Sequence, residues 1–477
     1  MSDANPNSAP KVAIVIPVYN RSADLKVLLR SVYALEYKNF EVIVVDNGST
    51  DSLEWLPEMY PDVLVLRKEK NYGATVGFNT GLEYAGSSGD YDYVWMLDSD
   101  LMVDGRSLPR LVEVMESDRS IGLAGPKILN SADKGLVVEA GARISLAEGK
   151  VFPLYCNEPD FDGGEVIEVD YHGSGVSLVR AEAFRKVGGM DERYYFLWDD
   201  MDYGLLMKRK GYKVVAVTDA VVYHPAFTEK RSAAINAYYG IKGPLLTASK
   251  YADPVSRLKC VYGTLRMVFK GAIYRFLSGN GRLAGLSMQA LWDFAAGRWG
   301  EMEEVGAVAS DAAYRPAGEP ASSMDARTVA ILPSGTDKDV ARVLGIVRAA
   351  APEARIILVM QDYRRHLFES IGADEILGYD DKGKGILIEH ARLFLTLMAR
   401  RPDVVINTDP ERGSPFTYAG RRVLDWDSGT EALYESRENL SSIWKIPVSV
   451  IAGELFALAV CPFLYIMSFK YSLKNRE

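Results

Sequence analysis

Two groups of aspartates in this sequence could hold a metal ion and move a proton. Asp98 and Asp100 lie one residue apart after the apolar run YDYVWML, and Asp199, Asp200 and Asp202 follow FLW. Two carboxylates at the end of a strand can share a divalent cation, whose other ligands come from substrate phosphates and water. Each group also has a structural alternative, because acids are common in turns and favour the positive end of a helix.

Three upstream segments place polar and small residues where further strands end or helices begin. IPVYN ends the first apolar run, VVDNGSTD ends the second, and NYGATVGFNTG enters a helix. An acid at a strand end can accept a hydrogen bond from a base or a ribose hydroxyl, and small residues let the backbone approach a ligand. A helix N-terminus also favours phosphates. Each segment alone is equally compatible with an ordinary turn or helix cap.

The elements around these residues alternate between short β-branched runs and helical stretches. This rhythm predicts an α/β domain whose parallel sheet is covered on both faces. After a Pro/Ala/Ser-rich linker, a second strand–helix series without GxGxxG or GxxxxGK[ST] predicts a Rossmann-like accessory domain. The predicted boundaries are 1–10 for a flexible N-terminus, 11–229 for the first domain, 230–315 for amphipathic helices, 316–326 for the linker, 327–430 for the accessory domain and 431–477 for a C-terminal segment.

Composition narrows the classes of function. A net charge of -9 argues against a nucleic-acid-binding protein, which would normally be basic. The 3 cysteines are far apart and fit neither a zinc site nor a disulfide framework. The polar N-terminus lacks an apolar signal-peptide core, so we expect the first domain to stay in the cytoplasm.

Two segments predict contact with a membrane. The stretch from Arg257 to Arg282 carries six basic residues and no acid, interleaved with aromatic and aliphatic residues, which is typical of a helix lying on anionic lipid. A packed helix with a solvated basic face is the alternative. The apolar tail from Pro447 to Phe469 is long enough to span a bilayer. Because basic residues follow it, we favour a hairpin or in-plane anchor over a single span.

Together, the motifs resemble the family 2 glycosyltransferases of the GT-A fold over about residues 11–228. The WDDMDYG run is similar to galactofuranosyltransferases and the general layout to rhamnosyltransferases, while the accessory domain loosely resembles half of a heptosyltransferase-like GT-B enzyme. The matching segments are PVYN at 17–20, DNGSTD at 46–51, NYGATVGFNTG at 71–81, DSD at 98–100, the run from Gly173 to Tyr212, and DAVVYH ending at His224.

The resemblance implies a role for each matched aspartate. Asp98, Asp100 and His224 would hold Mg2+ or Mn2+ against the donor diphosphate, although a single histidine at a strand end is often only structural. Asp200 would be the base that takes the proton of the acceptor hydroxyl, and Asp199 would position the base or the acceptor.

The remaining predicted contacts belong to the two substrates. Trp198 is predicted to form an apolar platform for the acceptor sugar, and His172 to line the acceptor site. The nucleotide-sugar contacts implied by the resemblance are Pro17, Tyr19, Asn20, Asp46, Asn47, Asn71, Gly73, Asn79 and Asp98.

The expected function is metal-dependent, inverting transfer of a galactofuranose- or rhamnose-like hexose. The donor would be a UDP- or dTDP-sugar, and the acceptor a lipid-linked or cell-surface glycan at the cytoplasmic face of the membrane. The partners are thus nucleotide sugar, glycan and anionic lipid, with a homo-oligomer possible and no nucleic acid. Two alternatives remain open: a nucleotidyltransferase, which would show a GxGxR-type loop after strand one, and a non-catalytic scaffold with a vestigial transferase domain.

Overall fold

The protein, a computed structural model, divides into an α/β part, a helical part and a second α/β part. The structure describes residues 9–131, 134–224, 233–277, 281–302, 305, 324–332, 337–362, 365–368, 372–379, 386–408, 415–427, 432–436 and 445–471.

The N-terminal part is built on a ten-stranded sheet. Its first elements are β1 (Val12–Val18), α1 (Ser22–Tyr33), β2 (Phe40–Asp46), α2 (Trp55–Met59), β3 (Leu64–Arg67), α3 (Ala74–Ser88) and β4 (Tyr93–Met96). They are followed by β5 (Met102–Val103), α4 (Ser107–Ser117), β6 (Ile121–Asn130), β7 (Val137–Glu139), β8 (Ala142–Ser145), β9 (Lys150–Pro153), β10 (Val166–Glu168), β11 (Leu178–Arg180), α5 (Ala181–Val187), α6 (Asp199–Arg209) and β12 (Lys213–His224).

The strand order along this sheet is β10-β12-β6-β11-β4-β1-β2-β3. Strands β4, β1, β2 and β3 are parallel, as predicted, but β11 runs antiparallel to both β4 and β6, and β10 antiparallel to β12. The sheet is therefore mixed. The prediction of a parallel sheet was wrong for this half because the short strands β10 and β11 insert between or beside longer ones, which local periodicity does not reveal.

Burial on both faces explains the apolar strands. Residues Val12 to Ile16 of β1 are all 0% exposed and alternate between two hydrophobic clusters, one on each face of the sheet. On one face, α1 contributes Leu25, Leu28, Leu29 and Val32, whose spacing forms a helical stripe. The carboxyl ends of β1, β2 and β4 consequently lie at one edge, where the polar segments follow.

The helical part begins with α7 (Ala233–Tyr251), α8 (Pro254–Leu277) and α9 (Gly281–Ala296). Its core includes Tyr194 and Trp198, so it is continuous with the N-terminal part just before α6. Arg257, predicted on the basic surface of α8, is instead only 4% exposed and lies over the ring of Phe469, with its guanidinium carbon 4.6 Å from the ring centroid.

The second α/β part has its own six-stranded sheet, in the order β15-β14-β13-β16-β17-β18. All neighbouring strands are parallel except the pair β17 and β18, so β18, beyond the predicted end at 430, belongs to the same sheet. The elements are β13 (Thr328–Leu332), α10 (Asp337–Ala350), β14 (Arg355–Gln361), α11 (Arg365–Phe368), β15 (Glu375–Tyr379), α12 (Ile386–Arg400), β16 (Val404–Asn407), β17 (Arg422–Asp427) and β18 (Ala432–Glu435). Most of the predicted linker, up to residue 323, lies outside the described residues.

The apolar tail forms one continuous helix, α13 (Lys445–Ser468), so of the two favoured forms the hairpin was wrong, and the in-plane anchor stays a prediction. It packs along α8, and a Cβ at Gly453 would lie 2.7 Å from the backbone nitrogen of Lys270, so the two backbones are nearly in contact. Among the described residues, this is one helix long and apolar enough to cross a membrane, with a mean hydropathy of 2.1 over Val448–Tyr471. Length and composition alone support that possibility.

Candidate active site

Asp98, Asp100 and His224 converge at the carboxyl edge of the first sheet. One ligand atom from each residue lies within 4.8 Å of the others, and His224 Nε2 is 3.5 Å from Asp100 Oδ1. The two aspartates follow β4, whereas His224 ends β12, so the sheet joins residues more than a hundred positions apart in the chain. Carboxylate oxygens and one imidazole nitrogen are suitable ligands for Mg2+ or Mn2+.

The electrostatics of this cluster favour a cation. Burial, followed by the charge of Asp100, raises the pKa of Asp98 to about 6, while His224 and Arg21 oppose the rise. Arg21 Nη1 lies 3.2 Å from Asp100 Oδ2 and 3.0 Å from Asp24 Oδ2. A divalent cation would remove the repulsion between the two carboxylates, so the donor set fits such an ion.

Gly175 makes room for Asp98. The Asp98 amide donates to the Gly175 carbonyl oxygen at 2.8 Å. A Cβ at Gly175 would lie 2.0 Å from Asp98 Oδ2, so any side chain there would displace the carboxylate. Glycine is therefore required here for close approach to a functional side chain.

Asp46 and Asn47 organise the neighbouring strand end. Buried Asp46 accepts from the Ser49 amide at 2.8 Å and pairs with Arg67 at 3.2 Å. Asn47 Nδ2 donates to Asn71 Oδ1 at 2.9 Å and to the Gly73 carbonyl oxygen at 3.0 Å. The second and third predicted segments are therefore tied together by side chains at the carboxyl end of β2.

The PVYN segment lies at the same edge, because Val18 pairs with Asp46. Asn20 has a φ of 53°, and its Oδ1 accepts from the Thr50 amide at 2.7 Å. Tyr19 is 43% exposed, and a Cβ at Gly77 would lie 2.8 Å from Pro17 Cβ. The structure thus brings Pro17, Tyr19 and Asn20 together with the predicted residues of the β2 edge.

Asn79, predicted to contact the nucleotide sugar, lies inside the protein. It is 5% exposed, donates to the Met190 carbonyl oxygen at 2.9 Å and to Glu192 Oε1 at 3.1 Å, and accepts from the Met190 amide at 2.9 Å. Both ends of its amide are used to hold the turn before α6. Its place in the structure is therefore that of an internal clamp.

The three aspartates of α6 have three different environments. Asp202 is 0% exposed, and its two carboxylate oxygens lie 2.5 and 2.6 Å from Lys250 Nζ, so its role is structural. Asp199 is buried, which raises its pKa, and its Oδ2 lies 3.0 Å from Thr75 Oγ1. Asp200 is partly exposed and accepts from the Met201 amide at 2.9 Å.

Trp198, predicted to form a platform for the acceptor sugar, is also largely buried. Its φ is 71° and that of Leu197 is 66°, so two consecutive left-handed residues turn the chain into α6. Trp198 is 9% exposed, and a Cβ at Gly243 would lie 2.6 Å from its ring. The indole is thus packed in the core of the helical part and offers little surface as a sugar platform.

His172 is likewise buried rather than lining an open acceptor site. It is 1% exposed, and neither ring nitrogen has a hydrogen bond of standard geometry within the described chain. Burial lowers the pKa of His172 to about 4, despite the nearby backbone of Pro126 and Gly173, so the ring is neutral at physiological pH. A side chain 1% exposed cannot touch an acceptor in this conformation.

Four residues of the site were not predicted: Arg21, Thr75, Gly175 and Lys250. Arg21 directly follows PVYN, and Gly175 lies within the matched GSG segment, so their positions gave some signal. Thr75 and Lys250 act through partners more than 40 residues away, and local sequence carries no trace of these contacts.

Comparison with known proteins shows similarity to glycosyltransferases. Galactofuranosyltransferase GlfT2 of Mycobacterium tuberculosis is 23% identical over 316 residues, 60% of this chain and 48% of that protein. N-acetylglucosaminyl-diphospho-decaprenol L-rhamnosyltransferase of the same species is 27% identical over 230 residues, 44% of this chain and 75% of that protein. This chain thus spans about half the length of the first relative.

Among solved structures, mannosyltransferase PcManGT from Pyrobaculum calidifontis, in complex with GDP-Man and Mn2+, gives a TM-score of 0.38 at 18% identity, covering 65% of this chain and 81% of that chain. S. aureus TarS 1–349 with UDP gives 0.39 at 16% identity, covering 62% and 83%. Residues 13–159 match the family described as Glycosyl transferase family 2. Residues 13–159 of the N-terminal α/β part therefore match a family 2 glycosyltransferase domain, and the sheet to which they contribute is mixed.

Proposed function

We propose that this chain is a metal-dependent, inverting hexosyltransferase. The donor is a UDP- or dTDP-sugar with a galactofuranose- or rhamnose-like hexose, and the acceptor is a lipid-linked or cell-surface glycan. The observation that carries the proposal is the convergence of Asp98, Asp100 and His224 within 4.8 Å at the edge where ligands bind in open α/β sheets. The names of the two mycobacterial relatives support the choice of sugars.

Different residues around the cluster are proposed to bind different parts of the donor. A bound Mg2+ or Mn2+, held by Asp98, Asp100 and His224, would neutralise the leaving diphosphate. Asp46 and Asn47 hold the neighbouring strand end in one conformation, which supports a role in fixing the nucleoside. Gly73 has a φ of 89° and directly precedes α3, whose N-terminus favours negative charge.

Asp200 is the proposed base. Inversion requires a group that removes the acceptor proton while the acceptor oxygen attacks the anomeric carbon. Of the three α6 aspartates, Asp202 is committed to Lys250 and Asp199 is buried beside Thr75, whereas Asp200 is partly exposed. Asp199 adds to the rise in the pKa of Asp98, so the start of α6 lies within electrostatic reach of the metal cluster.

The acceptor side is proposed to lie on an anionic membrane at the cytoplasmic face. The membrane surface comprises the outer faces of α8 and α13, where large apolar side chains and basic residues are exposed together. Its apolar members include Leu258, Met267, Ile451, Leu455, Leu458 and Phe463, and its basic members are Lys259, Arg266 and Lys270. Apolar side chains beside cations are the combination that binds a negatively charged lipid surface.

The test is nucleotide release by the purified full chain in lipid or detergent. UDP-, dTDP- and GDP-sugars are supplied one at a time with Mn2+, Mg2+ or EDTA. We expect one donor to turn over only with metal, and Asp98→Asn to lose this activity. Turnover that survives EDTA and the substitution would overturn the metal-dependent proposal. Absence of both turnover and donor binding would leave the chain without a transferase function.

A further inference from the structure

A cavity of about 620 Å³ lies away from the aspartate cluster, between α7, α9 and residues 298–302. Its volume is in the range of ligand-binding sites. Tyr238, Gln289 and Trp299 contribute to its wall together with charged Asp293 and Arg298. None of the contacts assigned to the donor, the metal or the base involves this cavity.

The wall of the cavity combines a fixed aromatic face with polar groups. Trp299 meets Phe294 and Tyr471 nearly at right angles, with ring centroids 6.0 and 5.2 Å away, so its ring is held in place. Asp293 Oδ2 accepts from the Tyr238 hydroxyl at 2.8 Å, and Oδ1 accepts from Gln289 Nε2 at 2.9 Å. Asp293 is only 3% exposed, so its carboxylate positions Gln289 from behind the wall.

This lining has the chemistry that a sugar ring requires. A pyranose or furanose presents C–H groups that pack on an aromatic face, and hydroxyls that both donate and accept. Carboxylate, amide and guanidinium groups offer planar pairs of acceptors or donors for adjacent hydroxyls. Two acids, Asp293 and Glu301, and two bases, Arg282 and Arg298, line the cavity, and this balance of charge favours a neutral polyhydroxyl compound over a phosphate group.

Direct packing connects the cavity with the active site. The Met302 amide donates to the Tyr239 hydroxyl at 2.9 Å, and the Tyr239 ring stacks on Tyr195 with centroids 5.6 Å apart. A Cβ at Gly73 would lie 2.6 Å from the carbonyl oxygen of Tyr195. Tyr239 and Tyr195 therefore lie between the cavity and the sheet edge where the donor is proposed to bind, just before α6 begins.

We propose that this cavity is a second sugar-binding subsite, which holds residues of the acceptor glycan beyond the one that reacts. Its assignment to the acceptor rests on the proposed transferase function, while binding of sugar rests on the cavity itself. In an acceptor of several sugars, the cavity would then bind sugars distant from the reacting hydroxyl. Recognition at this distance would make the enzyme prefer oligosaccharides to single sugars.

Gly285 provides a direct test because it lines the cavity on α9, and a Cβ there would meet nothing within 4 Å. Gly285→Leu fills the cavity, while leucine favours the helix more than glycine does, so the fold is expected to persist. Gly345→Leu is the matched control, because Gly345 lies on the exposed side of α10 with equally open space.

The probe is an immobilised panel of bacterial envelope oligosaccharides of two to six sugars, including galactofuranosyl and rhamnosyl chains. The full chain is applied in a detergent without a sugar headgroup. We expect the native protein and Gly345→Leu to bind at least one glycan, and Gly285→Leu to bind it at least tenfold more weakly. Binding to no glycan, or equal binding by all three proteins, overturns the subsite.

Donor binding distinguishes this result from failure of the proposed function. Gly285→Leu should still bind the nucleotide sugar, because none of the residues proposed to bind the donor lines the cavity. If the native protein binds no donor but Gly285→Leu still loses the glycan, the transferase proposal fails and the sugar subsite stands. If Gly285→Leu loses donor and glycan together, the cavity is not a separate subsite.

Discussion

At the scale of single residues, the cluster of Asp98, Asp100 and His224 is a place where the proposed metal binding opposes stability. Asp98 and Asp100 repel each other, and the partly buried Asp98 has its pKa raised to about 6, from an ordinary value near 4. A carboxyl whose pKa is raised on folding stabilises the folded state at low pH. That contribution is fully present below pH of about 4 and is lost as the pH rises through about 6.

Asp98→Asn should therefore stabilise the metal-free protein at neutral pH while abolishing activity. Each pKa unit corresponds to about 1.4 kcal/mol, so a rise from near 4 to about 6 predicts a gain of about 3 kcal/mol at pH 7.5 and little gain near pH 4. The measurement is denaturant unfolding in EDTA. Asp90→Asn, at an exposed position, should change nothing at either pH. An equal effect of Asp98→Asn at both pH values would contradict the expectation.

Substitution of Asp199 and of Asp200, the two candidate acids at the start of α6, should lower kcat by different amounts. Asp200→Asn removes the proposed base, so kcat should fall by about 10²- to 10⁴-fold with the donor KM unchanged. Asp199→Asn keeps a side chain that can bond Thr75, so we expect a smaller loss. The measurement is nucleotide release with saturating acceptor. A larger loss of kcat for Asp199→Asn than for Asp200→Asn would indicate that Asp199 is the base and Asp200 the positioning residue.

At the scale of elements, the helical part holds α6 in place. Trp198 packs against Gly243 of α7, and Asp202 is paired with Lys250 near the end of the same helix. The Tyr194 hydroxyl adds contacts to both Asp202 and Thr247, at 3.1 and 2.8 Å. The positions of Asp199 and Asp200 therefore depend on α7, although no residue of α7 is proposed to touch the donor, the metal or the reacting hydroxyl.

Lys250→Met should be strongly destabilising. It leaves Asp202 buried without its partner, and breaking a buried pair costs about 3–5 kcal/mol. Combining it with Asp202→Asn should restore much of that loss, because no unpaired charge remains. Unfolding in denaturant measures both variants. Lys213→Met breaks an exposed pair with Asp118 and serves as the control, with a much smaller expected cost because solvent screens that pair. If Lys250→Met is as mild as this control, the pair does not fix α6.

Local sequence was informative where a residue's role depends on its own strand or turn. Asp46, Asp98 and Asp100 end apolar strands, and parallel strands must bring those ends to one edge. The roles of Asn79, Trp198 and His172 were not predictable in this way. Asn79 is used by a turn 111 residues later, Trp198 is covered by α7, and His172 packs on Gly125 of β6. Such contacts arise from packing between distant segments, which periodicity does not encode.

At the scale of the whole molecule, the helical part joins the proposed active site to the proposed membrane surface. The outer side of α13 exposes Ile451, Leu455 and Ile466 at 63, 65 and 67%, whereas its inner side is buried against α8. Tyr262 of α8 donates to Glu454, which gives the one acid within the tail a partner. Since α8 and α13 pack side by side, both helices can present one apolar and basic surface.

Charge on that surface should decide which lipids are bound. Replacing Lys259, Arg266 and Lys270 by Gln removes three exposed cations, each worth about 1 kcal/mol at an anionic surface. We therefore expect binding to vesicles of phosphatidylcholine with 30% phosphatidylglycerol, a composition of about one anion in three lipids, to weaken by roughly 100-fold in a flotation assay. Binding to pure phosphatidylcholine should change little, because it depends on the apolar side chains.

The control changes the same net charge elsewhere: Lys186, Lys210 and Lys213, exposed on the N-terminal part, are replaced by Gln. If lipid binding follows only the total charge of the protein, both triple variants will bind equally weakly, and the surface on α8 and α13 has no special role. If only the α8 variant loses binding to anionic vesicles, α8 contacts lipid. If the double variant Ile451→Ser, Leu455→Ser also loses binding to neutral vesicles, α13 contacts lipid as well. Increasing salt should weaken binding of the native protein to anionic vesicles but not to neutral ones, since salt screens charges and leaves apolar burial intact.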